Sequence, residues 1–165
     1  MFVLVRHGHA GDKRLWEGDD ALRPLDGRGR RQAAGLVASL RHVDVTRLLS
    51  SPRLRCRQTL QPLAHRLALP VTTWDVLSPD ADVRRLDRRL ADPRLHGAVL
   101  CTHGETLDAL FDLWARRRTF VTVDDRAAAG PTEKGAAWIV ATDVGHVWAR
   151  YLRPLQLRPP VLAGR

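Results

Sequence analysis

The sequence predicts a three-layer α/β/α sandwich with a mostly parallel central sheet and an antiparallel edge. Three observations carry that prediction. Short apolar runs alternate with longer stretches of helical periodicity along the chain. The runs Phe2–Val5 and Ala98–Cys101 are apolar at every position, as strands covered on both faces must be. The last two runs are separated by a short segment holding Asp143-Val144-Gly145, which reads as a hairpin turn.

Taken in order, Phe2–Val5 is the first buried strand. Asp26 to Leu40 reads as a helix because Ala33, Leu36, Val37 and Leu40 recur at helical spacing. Thr46–Leu49 is a short strand leading into Ser50-Ser51-Pro52, which is expected to cap a helix from Arg53 to about Leu67. Pro62 lacks an N–H and should kink or divide that helix. Pro70 opens a strand near Val71–Trp74, and Val83–Leu90 reads as an Arg-rich surface helix. The buried strand Ala98–Cys101 precedes a helix across Thr106–Arg117, and Ala136–Ala141 and His146–Tyr151 form the closing hairpin. At 165 residues the chain fits one domain, residues 1–152. Residues 153–165, with Pro154, Pro159 and Pro160, are expected to lie extended on the surface as a C-terminal tail.

The charge balance, 27 basic against 18 acidic residues for a net +9, suggests an anionic partner. Of the basic residues 25 are Arg, whose planar fork suits phosphate, yet they are scattered, as a genome rich in G and C would scatter them. Runs such as Arg28-x-Arg30-Arg31 and Arg116-Arg117-Arg118 could touch nucleic acid. In Arg84-Arg85-x-x-Arg88-Arg89, the interleaving Asp82, Asp87 and Asp92 favour a solvated face instead. No apolar run approaches the roughly 18–20 residues of a membrane-spanning helix. No basic segment followed by a longer apolar run opens the chain, so a cytoplasmic location is expected. Cys56 and Cys101 are too few for a disulfide scaffold, and Cys101 reads as core.

The chemistry concentrates at strand ends, where open α/β sheets bind ligands. Two buried strands end alike, in Arg6-His7-Gly8 and in Thr102-His103-Gly104. Each sets a histidine at the carboxyl edge, before a glycine that permits a sharp turn and close approach of a ligand. A third strand end, Ser50-Ser51-Pro52-Arg53-Leu54-Arg55, runs into a helix N-terminus, whose free N–H groups suit a phosphate. Arg55 in that first turn, with Arg6 and the two histidines, describes a pocket for a small doubly charged oxyanion. Zinc at His7, His9 and His103 is not expected, because no carboxylate or Cys stands at a recognisable ligand spacing. Gly27-Arg28-Gly29 lacks the third glycine and the preceding strand of a dinucleotide fingerprint.

Arg6-His7-Gly8, Ser50-Ser51-Pro52-x-x-Arg55-x-x-Gln58-Thr59 and His103-Gly104, in that order, resemble the histidine phosphatase (phosphoglycerate mutase-like) superfamily. The likeness runs from Val3 to His146. The length resembles the short SixA-type phosphohistidine phosphatases. Gly18-Asp19-Asp20-x-x-Arg23-Pro24-Leu25-Asp26-x-x-Gly29 and Lys134-Gly135-x-x-Trp138 resemble the phosphatase domain fused to some actinobacterial Nudix hydrolases. The resemblance implies that His7 is a nucleophile that becomes a phosphohistidine. Arg6, Arg55 and His103 would surround the transferred phosphoryl group, with Gly8, Ser51 and Gly104 as further substrate contacts. No metal or other cofactor is implied, since fixed cations supply the charge. The partner is then a phosphorylated small molecule or a phosphohistidine protein, with neither membrane nor nucleic acid expected.

The general acid is where the sequence departs from that pattern. Many relatives carry a Glu after the third strand, where this chain reads Trp74-Asp75-Val76-Leu77-Ser78-Pro79-Asp80. Asp75 and Glu105 are the candidates, each equally readable as a solvated loop carboxylate. A missing acid favours leaving groups that depart unaided, such as phosphohistidine, acyl phosphate or nucleotide phosphate. The loop His9–Asp26 is expected to close over the site. In it, Arg23 is either a second phosphate contact or the partner of Asp19 or Asp20, and Trp16 either stacks on a base or shields a core edge. Two alternatives stand beside the phosphatase: a non-catalytic basic module binding phosphate or nucleic acid, and a phosphoglycerate mutase-type phosphotransferase.

Overall fold

The structure, a computed structural model, describes residues 1–117, 131–143 and 145–156, together with the backbone of 120–122. The strands are β1 (Phe2–Arg6), β2 (Arg47–Ser50), β3 (Val71–Thr73), β4 (Ala98–Thr102), β5 (Phe120–Thr122), β6 (Ala137–Asp143) and β7 (His146–Leu152). The helices are α1 (Gly27–Ser39), α2 (Leu54–Leu67), α3 (Val83–Leu90) and α4 (Gly104–Arg116). Sheet order is β3-β2-β4-β1-β6-β7-β5.

Handedness of the crossovers explains the layers. The chain steps from β1 through α1 to β2, then through α2 to β3, always toward one edge, so both helices cover the same face. From β3 it turns back through α3 to β4, which fills the gap between β2 and β1, and α4 carries it on in that reversed direction. A right-handed crossover in the opposite direction places its helix on the opposite face. Strand alternation shows the result. Val3 and Val5 pack with Leu36, Leu60 and Leu63 of α1 and α2. Phe2 and Leu4 pack with Leu86, Leu90, Leu107 and Leu110 of α3 and α4.

The predicted sandwich and its mostly parallel sheet are thus what forms. The antiparallel strand is β6, paired antiparallel with both β1 and β7. β7 covers its outer side, and the short strand β5, which periodicity missed, adds parallel to β7 as the outermost strand. The antiparallel pairs thus lie on that side of the sheet, one strand in from the rim. The hairpin closes with Asp143 opposite His146, and Gly145 has φ +77°; Val144 lies outside the described residues. Pro62 does not divide α2, which runs unbroken from Leu54 to Leu67. Leu60, Leu63 and Ala64 are buried on either side of the proline and hold both halves on the sheet. Ser50-Ser51-Pro52 supplies no side-chain cap to α2. Arg53 holds the cap position, because the Ser50 hydroxyl donates to the Ser51 carbonyl at 2.8 Å and the Ser51 hydroxyl is engaged elsewhere. Of the predicted tail, residues 153–156 are described, with the Leu155 carbonyl lying on α1 where a Cβ on Gly35 would meet it at 1.9 Å. Residues 157–165 lie outside the described residues, as does Arg118.

Candidate active site

The carboxyl end of β1 sets the first histidine. The His7 N–H donates to the Thr102 carbonyl at 3.0 Å, carrying the β1–β4 ladder one residue past the strand. The chain then turns at Gly8, whose N–H donates to Thr59 Oγ1 at 3.0 Å. Glycine is required there, since a Cβ would lie 2.9 Å from the Gly29 carbonyl oxygen. The Gly8 carbonyl accepts a 2.7 Å hydrogen bond from His7 Nδ1. That bond assigns the ring proton to Nδ1 and leaves Nε2 with a free lone pair.

The second histidine closes the β4 end. His103 is fully buried, its ring edge-on to His7 with centroids 5.2 Å apart. Its Nε2 lies 2.9 Å from Ser51 Oγ and 3.5 Å from Cys56 Sγ. Ser51 Oγ also accepts from the Arg53 N–H at 3.4 Å. In the tautomer that offers the partnerless Nδ1 as a donor to an oxyanion, the serine hydroxyl donates to His103 Nε2. The ring proton is then on Nδ1.

Two arginines complete the ring of donors. Arg6 lies flat on Gly104, where a Cβ would approach its Cζ to 2.6 Å, and its Nη1 donates to the Thr132 carbonyl. Arg55, 3% exposed, donates from Nη1 to the Asp20 carbonyl at 2.7 Å and from Nη2 to Asp20 Oδ2 at 3.1 Å. Among the described residues, the buried side-chain polar atoms without a partner are Arg6 Nε, Arg55 Nε, His103 Nδ1 and Thr106 Oγ1. Native interiors leave few such atoms, and each costs about 1–3 kcal/mol. Three of these four belong to the same cluster, and Thr106 is in the first turn of the helix that follows His103. Donors gathered in that way are satisfied together by one oxyanion.

The electrostatics fit this arrangement. Burial pushes the His7 pKa down to about 3, helped by the charges of Arg55, Arg6 and Lys134 and opposed by the Gly8 hydrogen bond. Burial likewise lowers His103 to about 2, with His7, Arg55 and Arg53 adding to it. Both rings are therefore neutral at physiological pH. Among the described residues, Asp20 is the carboxylate paired with the cluster's arginines. Burial works against its charge, but the Arg23 hydrogen bond and the charges of Arg55 and Arg23 outweigh it and hold it below the usual carboxylate range.

The structure thus brings Arg6, His7, Arg55 and His103 together and sorts the remaining candidates. Ser51 is fully buried with its hydroxyl on His103, so it orients that ring. Gly8 holds His7, and Gly104 makes room for Arg6. Arg23 takes the paired alternative, donating to Asp20 Oδ1 at 2.8 Å and to the Ala10 carbonyl at 2.6 Å. Asp75 and Glu105 are exposed, and no hydrogen bond links either side chain to the histidines. Trp16 donates to the Asp19 carbonyl at 3.0 Å and lines a cleft of about 270 Å³ with Leu15, Arg23 and Pro24. His9 is 2.5 Å from Asp26, whose other oxygen caps α1 through the Gly29 N–H at 2.8 Å. Sequence reasoning missed the roles of Thr59, Gln58 and Thr132. Gln58 Oε1 accepts the Leu25 N–H at 2.8 Å and so ties down the end of the 9–26 loop. The motif Arg55-x-x-Gln58-Thr59 was the available signal, since its last two members fall one helical turn beyond Arg55.

Fold and site together define an α/β protein that gathers guanidinium donors around a neutral histidine at the carboxyl edge of its sheet, an arrangement suited to a small oxyanion. The family model of the histidine phosphatase superfamily (branch 1) matches residues 2–78, a span that includes Arg6, His7 and Arg55. The chain is 35% identical over 158 residues to an 8-oxo-(d)GTP phosphatase of Mycolicibacterium smegmatis. That match covers 92% of this chain and 48% of the relative, so the chain spans about half the length of the curated relative it matches. Among solved structures, the protein histidine phosphatase SixA complexed with tungstate superposes with a TM-score of 0.68 at 23% identity, covering 93% of this chain and 96% of that one. A mycobacterial glucosyl-3-phosphoglycerate phosphatase superposes with a TM-score of 0.63 at 16% identity, over 91% and 96% of the two chains. At those identities the two structures share the fold. Among the described residues no helix is long and apolar enough to cross a membrane.

Proposed function

We propose that the protein is a phosphatase that hydrolyses a phosphomonoester, phosphoramidate or nucleotide phosphate through a covalent phosphohistidine on His7. The observation that carries this reading is the orientation of His7, with Nδ1 bound to the Gly8 carbonyl and Nε2 free beside Arg6, Arg55 and His103. The match of residues 2–78 to the histidine phosphatase superfamily and the 8-oxo-(d)GTP phosphatase activity of the mycobacterial relative support it.

The His7 Nε2 lone pair attacks phosphorus as the bond to the leaving-group oxygen breaks, and that oxygen keeps the electron pair. The guanidinium N–H groups of Arg6 and Arg55 and the Nδ1–H of His103 take up charge on the equatorial oxygens. Arg6 is already held in place by Gly104 and Thr132, and His103 by Ser51, while Arg55 exchanges Asp20 for the phosphoryl oxygens. Water then attacks phosphorus, orthophosphate leaves and His7 is restored.

The test is phosphate release from p-nitrophenyl phosphate, phosphohistidine and a nucleotide panel, with and without EDTA. We expect turnover that EDTA leaves unchanged and that His7→Ala abolishes, with acid-labile labelled phosphate trapped on His7. A wild type that turns over none of these and instead binds DNA with a steep salt slope would overturn the reading in favour of a basic binding module.

A further inference from the structure

Lys134 is one cation more than a single phosphoryl group requires. Its backbone is fixed from several sides. Gln32 Nε2 donates to its carbonyl at 2.7 Å, and the Gly135 N–H is shared by the carbonyls of Arg6 and His7 at 3.1 Å each. The Arg6 guanidinium holds the Thr132 carbonyl, and the Glu133 N–H donates to the Tyr151 hydroxyl at 3.3 Å. Gly135 adopts φ +81° with Gln32 packed where a Cβ would sit, 2.8 Å away. Lys134 therefore leaves the wall of the site at a fixed point, beside the end of β1.

Its ammonium makes no ion pair or hydrogen bond among the described residues. Burial lowers its pKa, the charges of Arg6 and Arg23 lower it further, and it in turn opposes protonation of His7. A half-buried ammonium among guanidinium groups is unfavourable unless a ligand brings negative charge to it. A second, independent observation concerns the leaving group. Asp75 and Glu105 are exposed and unconnected to the histidines, and Asp20 is held ionised by Arg23 and Arg55. None of the three is placed to give a proton to an alkoxide. A leaving group that is itself a phosphate needs none.

We propose that Lys134 grips a second, inner phosphoryl group, which makes the substrate a phosphoanhydride such as a nucleoside di- or triphosphate rather than an alkyl monoester. The inference rests on the phosphatase reading and names the substrate class of that same site. His7 Nε2 bonds to the terminal phosphorus as the bridging P–O bond breaks, and the electron pair leaves on the inner phosphate, neutralised by Lys134. Water cleaves the N–P bond, yielding orthophosphate and releasing a proton to solvent.

The test compares orthophosphate with inorganic pyrophosphate by calorimetric binding, and p-nitrophenyl phosphate with ADP by turnover. Wild type, Lys134→Met, Lys134→Arg and the nearby exposed Arg28→Gln are each checked for folding by circular dichroism. We expect Lys134→Met to weaken pyrophosphate binding and raise KM for ADP by about tenfold or more, the worth of one charge-assisted hydrogen bond. Orthophosphate binding and p-nitrophenyl phosphate turnover should change less than about threefold, the scale of a lost exposed charge. Arg28→Gln should match wild type, and Lys134→Arg should restore the pyrophosphate preference in part. Equal losses on both members of each pair, or an Arg28→Gln effect as large as that of Lys134→Met, overturn the inference and leave the phosphatase standing. Wild type that binds neither anion overturns both.

Discussion

The two buried histidines make a specific prediction about acid stability. In the unfolded chain both imidazoles titrate near 6.5, whereas in the folded protein His7 resists protonation until about 3 and His103 until about 2. Below pH 6.5 the unfolded state therefore binds more protons, and stability falls as pH falls. The contribution is complete above 6.5 and is lost progressively down to the folded values. Each histidine adds a slope approaching about 1.4 kcal/mol per pH unit, so the pair removes about 2–3 kcal/mol between pH 6 and pH 5. That is a large share of a typical total of about 5–15 kcal/mol. Carboxylates with depressed pKa values, Asp12, Asp20, Asp26 and Asp92, have the same sign but lose their contribution only below 3.8. Asp108, raised by burial, acts with the opposite sign. Urea unfolding followed by tryptophan fluorescence at pH 7.5, 6.0 and 5.0 reads the effect directly. His7→Asn and His103→Gln should each remove about half of the slope between pH 6 and 5. A wild type equally stable at those two values, or variants that keep the full slope, would refute the burial argument.

Two further substitutions test the supports of the site. Gly104→Ala brings a Cβ within 2.6 Å of Arg6 Cζ, a flexible side-chain end that can swing aside. The melting temperature should hold within a few degrees while kcat/KM falls about 10²-fold, the usual worth of one transition-state donor. An unchanged rate would mean that Arg6 is not needed where it lies. Ser51→Ala removes the hydroxyl that lies 2.9 Å from His103 Nε2. With the tautomer released, kcat should drop about tenfold or more with KM nearly unchanged, and NMR of the His103 ring should show the proton redistributed between its nitrogens. A KM effect alone would return Ser51 to direct substrate contact.

How much of this was legible in the sequence follows from how local each signal is. Phe2–Val5 and Ala98–Cys101 declared themselves as two-sided strands, and the histidine–glycine endings marked where those strands stop. Arg55 stood out because a helix N-terminus and a motif flank it. The rank of β6 in the sheet was not legible, since a hairpin's periodicity says nothing about which strand adds beside it. Strand β5, three residues long, is too short to show a period. The partners that hold the site were hidden by separation: Thr59 lies 51 residues from Gly8, Asp20 lies 35 from Arg55 and Thr132 lies 126 from Arg6. Asp20 was visible as a loop acid, but nothing local distinguished it from Asp19.

Asp20 gives the site a resident counterion. Any phosphorylated ligand that takes over the Arg55 contacts must exchange with a carboxylate that Arg23 keeps tethered nearby. Binding is then a swap of one anion for another, so the apparent affinity is the intrinsic one reduced by the fraction of molecules in which the carboxylate has stepped off. The same swap resets the pocket once product departs. In the proposed phosphatase reaction, it would displace orthophosphate that a bare cluster of positive charge would retain.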